Sequence, residues 1–408
     1  MKIYGVIMAG GGGTRFWPLS RKETPKQLLN LSGKDLMINE TIDRITCQIP
    51  KKDIFIVTNA TQKEKMIEAT KGRIDSTHIL CEAAARNTAA CIGFAAITIV
   101  KKYGDGIMCV FPADHFIKDE GTFSKTLGRA IQIADESNQL VTMGISPTYP
   151  STGYGYIKYD NSGKCDNTEK CDNSGKYDNS RKCDNTEKCD NTGKCDDSRK
   201  RDNTKQKDRD EISEYKVIEF KEKPDLETAK SYLESGQYAW NSGMFVWKAS
   251  VILEEFRKYL PDIYDNLKEI EKAYDAESLD AGENINKKID EIYKRIRSIS
   301  IDYGIMEQSD KVVVIPAEFG WSDVGSFDNL GVMYDSDDNG NIIQGNHIGI
   351  ETKDCIVYAK NKLIATIELE NIVVVETDDT VLVCKKDRVQ DVKKIVEKLA
   401  EEGKEEFL

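Results

Sequence analysis

From Ile3 to about Ile145, short apolar runs alternate with stretches whose apolar residues recur every three or four positions. That alternation predicts parallel strands joined by amphipathic crossover helices. Strands are expected at Ile3–Ala9, Ile54–Thr58, His78–Cys81, Ile107–Phe111 and Leu140–Ile145. Helices are expected near Leu36–Thr46, Gln62–Lys71, Thr88–Lys102 and Gly121–Ala134, the third opened by Asn87 as its N-cap. Because the strand runs are continuously apolar rather than alternating, both faces of the sheet are expected to be covered. The fold class is therefore α/β, a Rossmann-like mixed and mainly parallel sheet flanked by helices. Ligands of such sheets sit beyond the carboxyl ends of the strands.

A different pattern interrupts this one. Between Gly163 and Thr204 the chain repeats a six-residue unit of the form x-Lys-Cys-Asp-Asn-Thr/Ser, with Tyr177 and Arg201 standing in for cysteine. A β-helix needs an aliphatic residue in each coil, which this repeat lacks, so residues 161–211 are expected to be a disordered, low-complexity insert. Beyond it Tyr215–Phe220 and Lys311–Ile315 read as strands, and Leu226–Ser235, Ser250–Tyr259 and Asp262–Tyr274 as helices. From Asn341 to Cys384 the pattern becomes short β runs with Gly, Asn and Asp turns, and Val389–Leu399 closes as a helix with Val389, Val392, Ile395, Val396 and Leu399 on one stripe. The expected organisation is a catalytic domain over 1–335, interrupted by the insert, and a β-rich domain over 336–408 that ends in a helix.

Composition narrows the function classes. The net charge of −12 over 408 residues argues against a general affinity for nucleic acid or anionic membranes, so a phosphate ligand has to be held by a local basic cluster. No apolar run reaches membrane-spanning length and the N-terminus lacks a signal-peptide pattern, from which a cytoplasmic location is expected. Of eleven cysteines, five fall in the repeat. The remaining six, Cys47, Cys81, Cys91, Cys109, Cys355 and Cys384, lie apart in apolar segments, as expected of reduced core residues.

The chemistry begins at Gly10-Gly-Gly-Gly-Thr-Arg15, just past the first strand, with Lys26 eleven residues beyond Arg15. Glycines let backbone N–H groups approach a polyphosphate, while a guanidinium and an ammonium neutralise it. A dinucleotide fingerprint needs glycine where Arg15 stands, and a Walker loop needs a closing G-K-[ST] that is missing, so Gly10, Gly11, Gly12, Gly13 and Thr14 form another kind of phosphate loop. Asp114 follows the fourth strand in Phe111-Pro-Ala-Asp-His, and Asp323 lies in Gly320-Trp-Ser-Asp-Val-Gly. Two carboxylates on separate turns suit Mg²⁺, which binds one or two carboxylates together with substrate phosphates. Glu82, Arg86 and Asn87 reach the same rim, where a carboxylate accepts the N–H groups of a guanine edge. Glu222, Lys223, Asn241 and Gly155, in Phe220-Lys-Glu-Lys-Pro224, Trp240-Asn-Ser-Gly and Ser151-Thr-Gly-Tyr-Gly, offer the charges, amide and close backbone approach that read a sugar phosphate.

Taken in order, the segments Gly10–Gln27, Glu82–Ala90, Phe111–Ile117, Thr152–Ile157, Phe220–Pro224, Asn241–Phe245 and Phe319–Ser326 resemble those of the sugar-nucleotide pyrophosphorylases, and among them the mannose-1-phosphate guanylyltransferases. The resemblance spans nearly all of the chain outside the insert. It implies a nucleotide-diphospho-sugar transferase fold that joins GTP to mannose 1-phosphate and releases pyrophosphate. It further implies Arg15 and Lys26 on the GTP phosphates, Asp114 and Asp323 on magnesium, and Glu222, Lys223 and Asn241 on the sugar phosphate. Other hexose 1-phosphate and nucleotide pairs, and a catalytically silent regulatory subunit, are the competing readings. The oligomeric state, a homodimer included, is left open.

Overall fold

Because both faces of the segment from Ile3 to Met8 are apolar, it runs through the interior as β1, the third strand of a nine-stranded sheet. The computed structural model describes residues 1–161, 212–221, 223–275 and 282–408, so Glu222 and nearly all of the expected insert lie outside the described residues. In chain order β1 is followed by β2 (Ile54–Asn59), β3 (Ile79–Glu82), β4 (Ile107–Pro112), β5 (Phe116–Ile117), β6 (Leu140–Ile145) and β7 (Tyr156–Tyr159). Then come β8 (Tyr215–Lys221), β9 (Tyr238–Lys248), β10 (Val312–Ala317) and β11 (Trp321–Ser322). The large sheet has the order β3-β2-β1-β4-β9-β6-β10-β8-β7. Strands β3, β2, β1 and β4 are parallel, as are β6 and β10, and β9 runs antiparallel between β4 and β6. The fold is thus the expected Rossmann-like mixed sheet.

Helices α1 (Met37–Ile45), α2 (Lys63–Ala69), α3 (Asn87–Tyr103), α4 (Glu120–Glu136), α5 (Leu226–Ser235), α6 (Ala249–Tyr259), α7 (Pro261–Asp275) and α8 (Gly282–Arg295) surround it. The largely apolar α3 is buried among β1, β2, α6 and α7, so one face of the sheet is covered by two helical layers. No helix among the described residues is long and apolar enough to cross a membrane.

Several sequence expectations need correction. Asn87 does not cap α3 through the usual bond to the second or third amide. It takes φ 65° and its Oδ1 accepts the neighbouring Thr88 N–H at 2.8 Å. The Asn241-Ser-Gly243 stretch lies inside the long strand β9, for which no strand was expected, and Gly243 takes φ 68° there beside an irregularity in the β6–β9 register. Helix α8 has no counterpart among the expected elements, although Ile285, Ile289, Ile292 and Tyr293 repeat at helical spacing and are buried. Cys47 is exposed, whereas Cys91, Cys109 and Cys355 are core residues, and all six described cysteines are free thiols.

Past residue 336 the chain coils. Strands β12 (Ile342–Gln344), β14 (Ile356–Ala359) and β16 (Ile372–Glu376) stack in parallel, closed by antiparallel β17 (Val381–Lys385). The intervening β13 (His347–Ile350) and β15 (Ile364–Ile367) form a second parallel ladder. Helix α9 (Val392–Glu401) begins at Val392 rather than Val389, after a 3-10 segment, and Ile395 of its expected apolar stripe is exposed. Val373, Val375, Leu382, Val389 and Val392 pack in one cluster with Phe16, Trp17, Val324 and Phe327, so the coil seats directly behind the glycine loop.

Candidate active site

The glycine loop is held by its carbonyl oxygens. Ala9 O accepts from Thr58 Oγ1 at 3.0 Å and Gln27 Nε2 at 2.9 Å, and Gly10 O accepts from Asn59 Nδ2 at 3.2 Å. Gly11 O accepts from Gln27 Nε2 at 3.1 Å and Gln62 Nε2 at 3.2 Å, and Gly13 O from Ser20 Oγ at 2.7 Å. In a trans peptide the N–H points opposite to the preceding carbonyl, so tying these oxygens inward turns the N–H groups of Gly10, Gly11, Gly12 and Thr14 the other way. A row of aimed N–H donors is an anion cradle. At Gly13, φ is 61° and an added Cβ would lie 2.4 Å from Lys26 Cβ, so only glycine lets the loop rest on the Lys26 backbone.

Lys26 is 4% exposed, and its Nζ lies 2.9 Å from Asp114 Oδ2 while donating to the main-chain oxygen of Asp323. Burial alone would raise the Asp114 carboxyl, but the Lys26 ammonium overrides it and holds the group below the ordinary carboxylate value. The two aspartate turns are joined by a short antiparallel ribbon, in which β11 pairs with β5 through Trp321↔Ile117 and Ser322↔Phe116. Asp323 Oδ1 accepts from Tyr154 Oη at 2.9 Å, and burial followed by the nearby Asp323 pushes the Tyr154 phenol up. Trp321 Nε1 donates to His115 Nδ1 at 3.1 Å, and burial drives the His115 imidazole down to about 4 against the pull of Asp114.

Three adjoining cavities converge here. One, of about 550 Å³, is lined by Gly10, Gly11, Glu82, Arg86, Asn87, Gly155, Asn241 and Asp323 among others. A second, of about 250 Å³, brings Gly13, Thr14, Arg15, Lys26, Asp114 and Asp323 together. The third, of about 500 Å³, joins Arg15 and Asp323 to Lys223. Asp323 therefore lines all three, although it stands far along the chain from the loop. Gly12 is exposed at the loop's crest. In the first of these cavities burial raises the Glu82 carboxyl to about 7, opposed by the hydrogen bond from Tyr293 Oη to its Oε1. Arg86 donates to the Lys294 carbonyl, and Asn241 Nδ2 donates to Asp302 Oδ1 at 2.7 Å.

Sequence reasoning missed the supporting residues. Gln27 and Gln62 hold the loop, and Tyr154, Tyr293 and Asp302 hold Asp323, Glu82 and Asn241. Gln27 and Tyr154 carried a signal, since Gln27 ends the same signature as Lys26 and Tyr154 lies within Ser151-Thr-Gly-Tyr-Gly. Among the described residues no group of three or more His, Cys, Asp or Glu forms a metal cage. A carboxylate pair facing a phosphate-sized cavity is nonetheless a donor set that suits Mg²⁺, which keeps waters and takes substrate phosphates as ligands.

Sheet order, glycine cradle and carboxylate pair together define a nucleotidyltransferase. The chain belongs to that family: residues 4–173 and 205–337 match the Nucleotidyl transferase family, and 345–399 match the MannoseP isomerase/GMP-like beta-helix domain. It is 36% identical to the mannose-1-phosphate guanylyltransferase of Escherichia coli (strain K12), covering 99% of this chain and 75% of that protein. The same identity and coverage hold against the mannose-1-phosphate guanylyltransferase of Salmonella montevideo. Among solved structures, the mannose-1-phosphate geranyltransferase of Thermus thermophilus aligns with a TM-score of 0.76 at 27% identity, over 98% of this chain and 100% of that one.

Proposed function

We propose that this chain transfers GMP from GTP to α-D-mannose 1-phosphate, giving GDP-mannose and pyrophosphate. The observation that carries this reading is the convergence of the glycine cradle, Lys26 and two carboxylates on cavities that all share Asp323. The loop N–H groups, Arg15 and Lys26 hold the triphosphate. Glu82, with Arg86 and Asn87, takes the guanine end, its carboxylate accepting from the ring and exocyclic N–H groups. Gly155, Asn241 and Lys223, with Glu222, take the sugar phosphate. That phosphate is already anionic at neutral pH, so it attacks the α-phosphorus in line without a general base, and catalysis reduces to positioning and charge stabilisation. Asp114 and Asp323 would hold Mg²⁺, which would neutralise phosphate charge between them. Pyrophosphate release with GTP and mannose 1-phosphate, with and without Mg²⁺, tests the reading. Release that requires both substrates and the metal is expected. Release only with another nucleotide or hexose 1-phosphate, or with none, overturns it.

A further inference from the structure

We propose that His115 is a further catalytic residue, a fixed N–H donor to a non-bridging oxygen of the GTP α-phosphate. This rests on the reading of the site as a nucleotidyl-transfer centre. Trp321 sets the tautomer, because its indole N–H donates and cannot accept. Its bond to His115 Nδ1 makes that nitrogen a lone pair, so the imidazole carries its proton on Nε2. The ring is further pinned by the edge-on contact with Trp321, at 5.4 Å between centroids and 81° between planes, and by the β5·β11 ribbon beside the two residues. One tautomer and one orientation are thus imposed from outside the substrate.

Its position identifies the oxygen it serves. Of the described residues lining the phosphate cavity around Arg15 and Lys26, only His115 and Asp323 also line the cavity that holds Glu82 and Asn241. The junction between the two is where the α-phosphate belongs, with the β- and γ-phosphates on one side and nucleoside and sugar on the other. There the sugar-phosphate oxygen forms a new P–O bond, and the bond between the α-phosphorus and its bridging oxygen breaks, the electron pair leaving with pyrophosphate. His115 donates a hydrogen bond throughout and transfers no proton. A preorganised donor at a centre of changing charge acts on the transition state more than on the bound substrates.

Two amides separate this role from a structural one. Glutamine places its NH₂ near the position of imidazole Nε2, whereas asparagine reaches only that of Nδ1. His115→Asn is expected to lower kcat ~100-fold with KM for GTP and mannose 1-phosphate nearly unchanged, and His115→Gln to stay within ~10-fold of wild type. Equal behaviour of the two variants overturns the proposal, whether both are active or both impaired. If His115→Asn fails to fold, Trp321→Phe decides. It leaves His115 in place but frees its tautomer, so a fall of ~10-fold in kcat at unchanged KM is expected and an unaltered kcat overturns the proposal. Wild type without turnover on any substrate pair overturns the underlying reading as well. An active wild type with an indifferent His115→Asn overturns this inference alone.

Discussion

Lys26 lines the phosphate cavity while its ammonium also contacts Asp114 and a main-chain oxygen, and this shapes what its removal would do. Asp114 is one-third exposed, so losing its partner leaves a carboxylate that water still reaches. Lys26→Ala is therefore expected to lose ~100-fold or more in kcat while melting within a few degrees of wild type, as read by steady-state kinetics and calorimetry. Gly13→Ala differs, because a Cβ there meets the Lys26 backbone and a left-handed φ at once. It is expected to lower both thermal midpoint and turnover. Glu82 carries a pH dependence. Its folded-state value of about 7 lies above the ordinary carboxylate value, so the ionised form that accepts guanine N–H groups is lost as pH falls through 7. GTP affinity measured from pH ~5.5 to ~8.5 should weaken below about 7 in the wild type and lose that dependence in Glu82→Gln. The sign for stability is opposite. A raised pKa favours the fold at low pH, and that contribution disappears as pH rises through about 7, so Glu82→Gln should melt on the order of 1–2 °C higher than wild type at pH ~8.

At the scale of elements, the insert enters at a hairpin. Strands β7 and β8 pair antiparallel, Asp160 N donates to Lys216 O at 3.0 Å, and the rings of Tyr159 and Tyr215 meet at 5.4 Å, so the two chain ends are already together. Replacing 163–210 by a short turn should leave melting and GDP-mannose formation within about twofold of wild type, since closing a short loop across paired strands costs little. The five expected strands from Ile3 to Ile145 match the structure to within one residue at either end, because buried parallel strands announce themselves as continuous apolar runs. Strand β9 was illegible for the opposite reason. Its Asn-Ser-Gly centre follows turn chemistry, and only pairing with β4, β6 and β7 on its two edges makes it a strand.

For the whole molecule, the coiled C-terminal strands and the signature loop share one core. Trp17 Nε1 donates to Phe407 O at 2.8 Å, Arg21 pairs with Asp379 at 2.7 Å and Lys22 with Glu405 at 2.6 Å. A fragment ending at residue 335 would uncover Phe16, Trp17, Val324 and Phe327 just behind the glycine loop. It should lose the cooperative melting transition of the full chain and its turnover, whereas an independently stable, active fragment would show that the shared core is dispensable.

What the sequence determined by itself is local: apolar period, the glycine run, the charges within eleven residues of it, and the carboxylates at strand ends. These follow from backbone geometry and solvation acting over a few residues. Tertiary structure alone decided which distant groups meet. It brought Asp323 to Lys26 and Tyr154, set Tyr293 on Glu82, and turned Gln27 and Gln62 onto the loop carbonyls. Those contacts satisfy buried polar groups through partners on other elements, and partner choice depends on how the sheet order stacks the chain, a property no local pattern encodes.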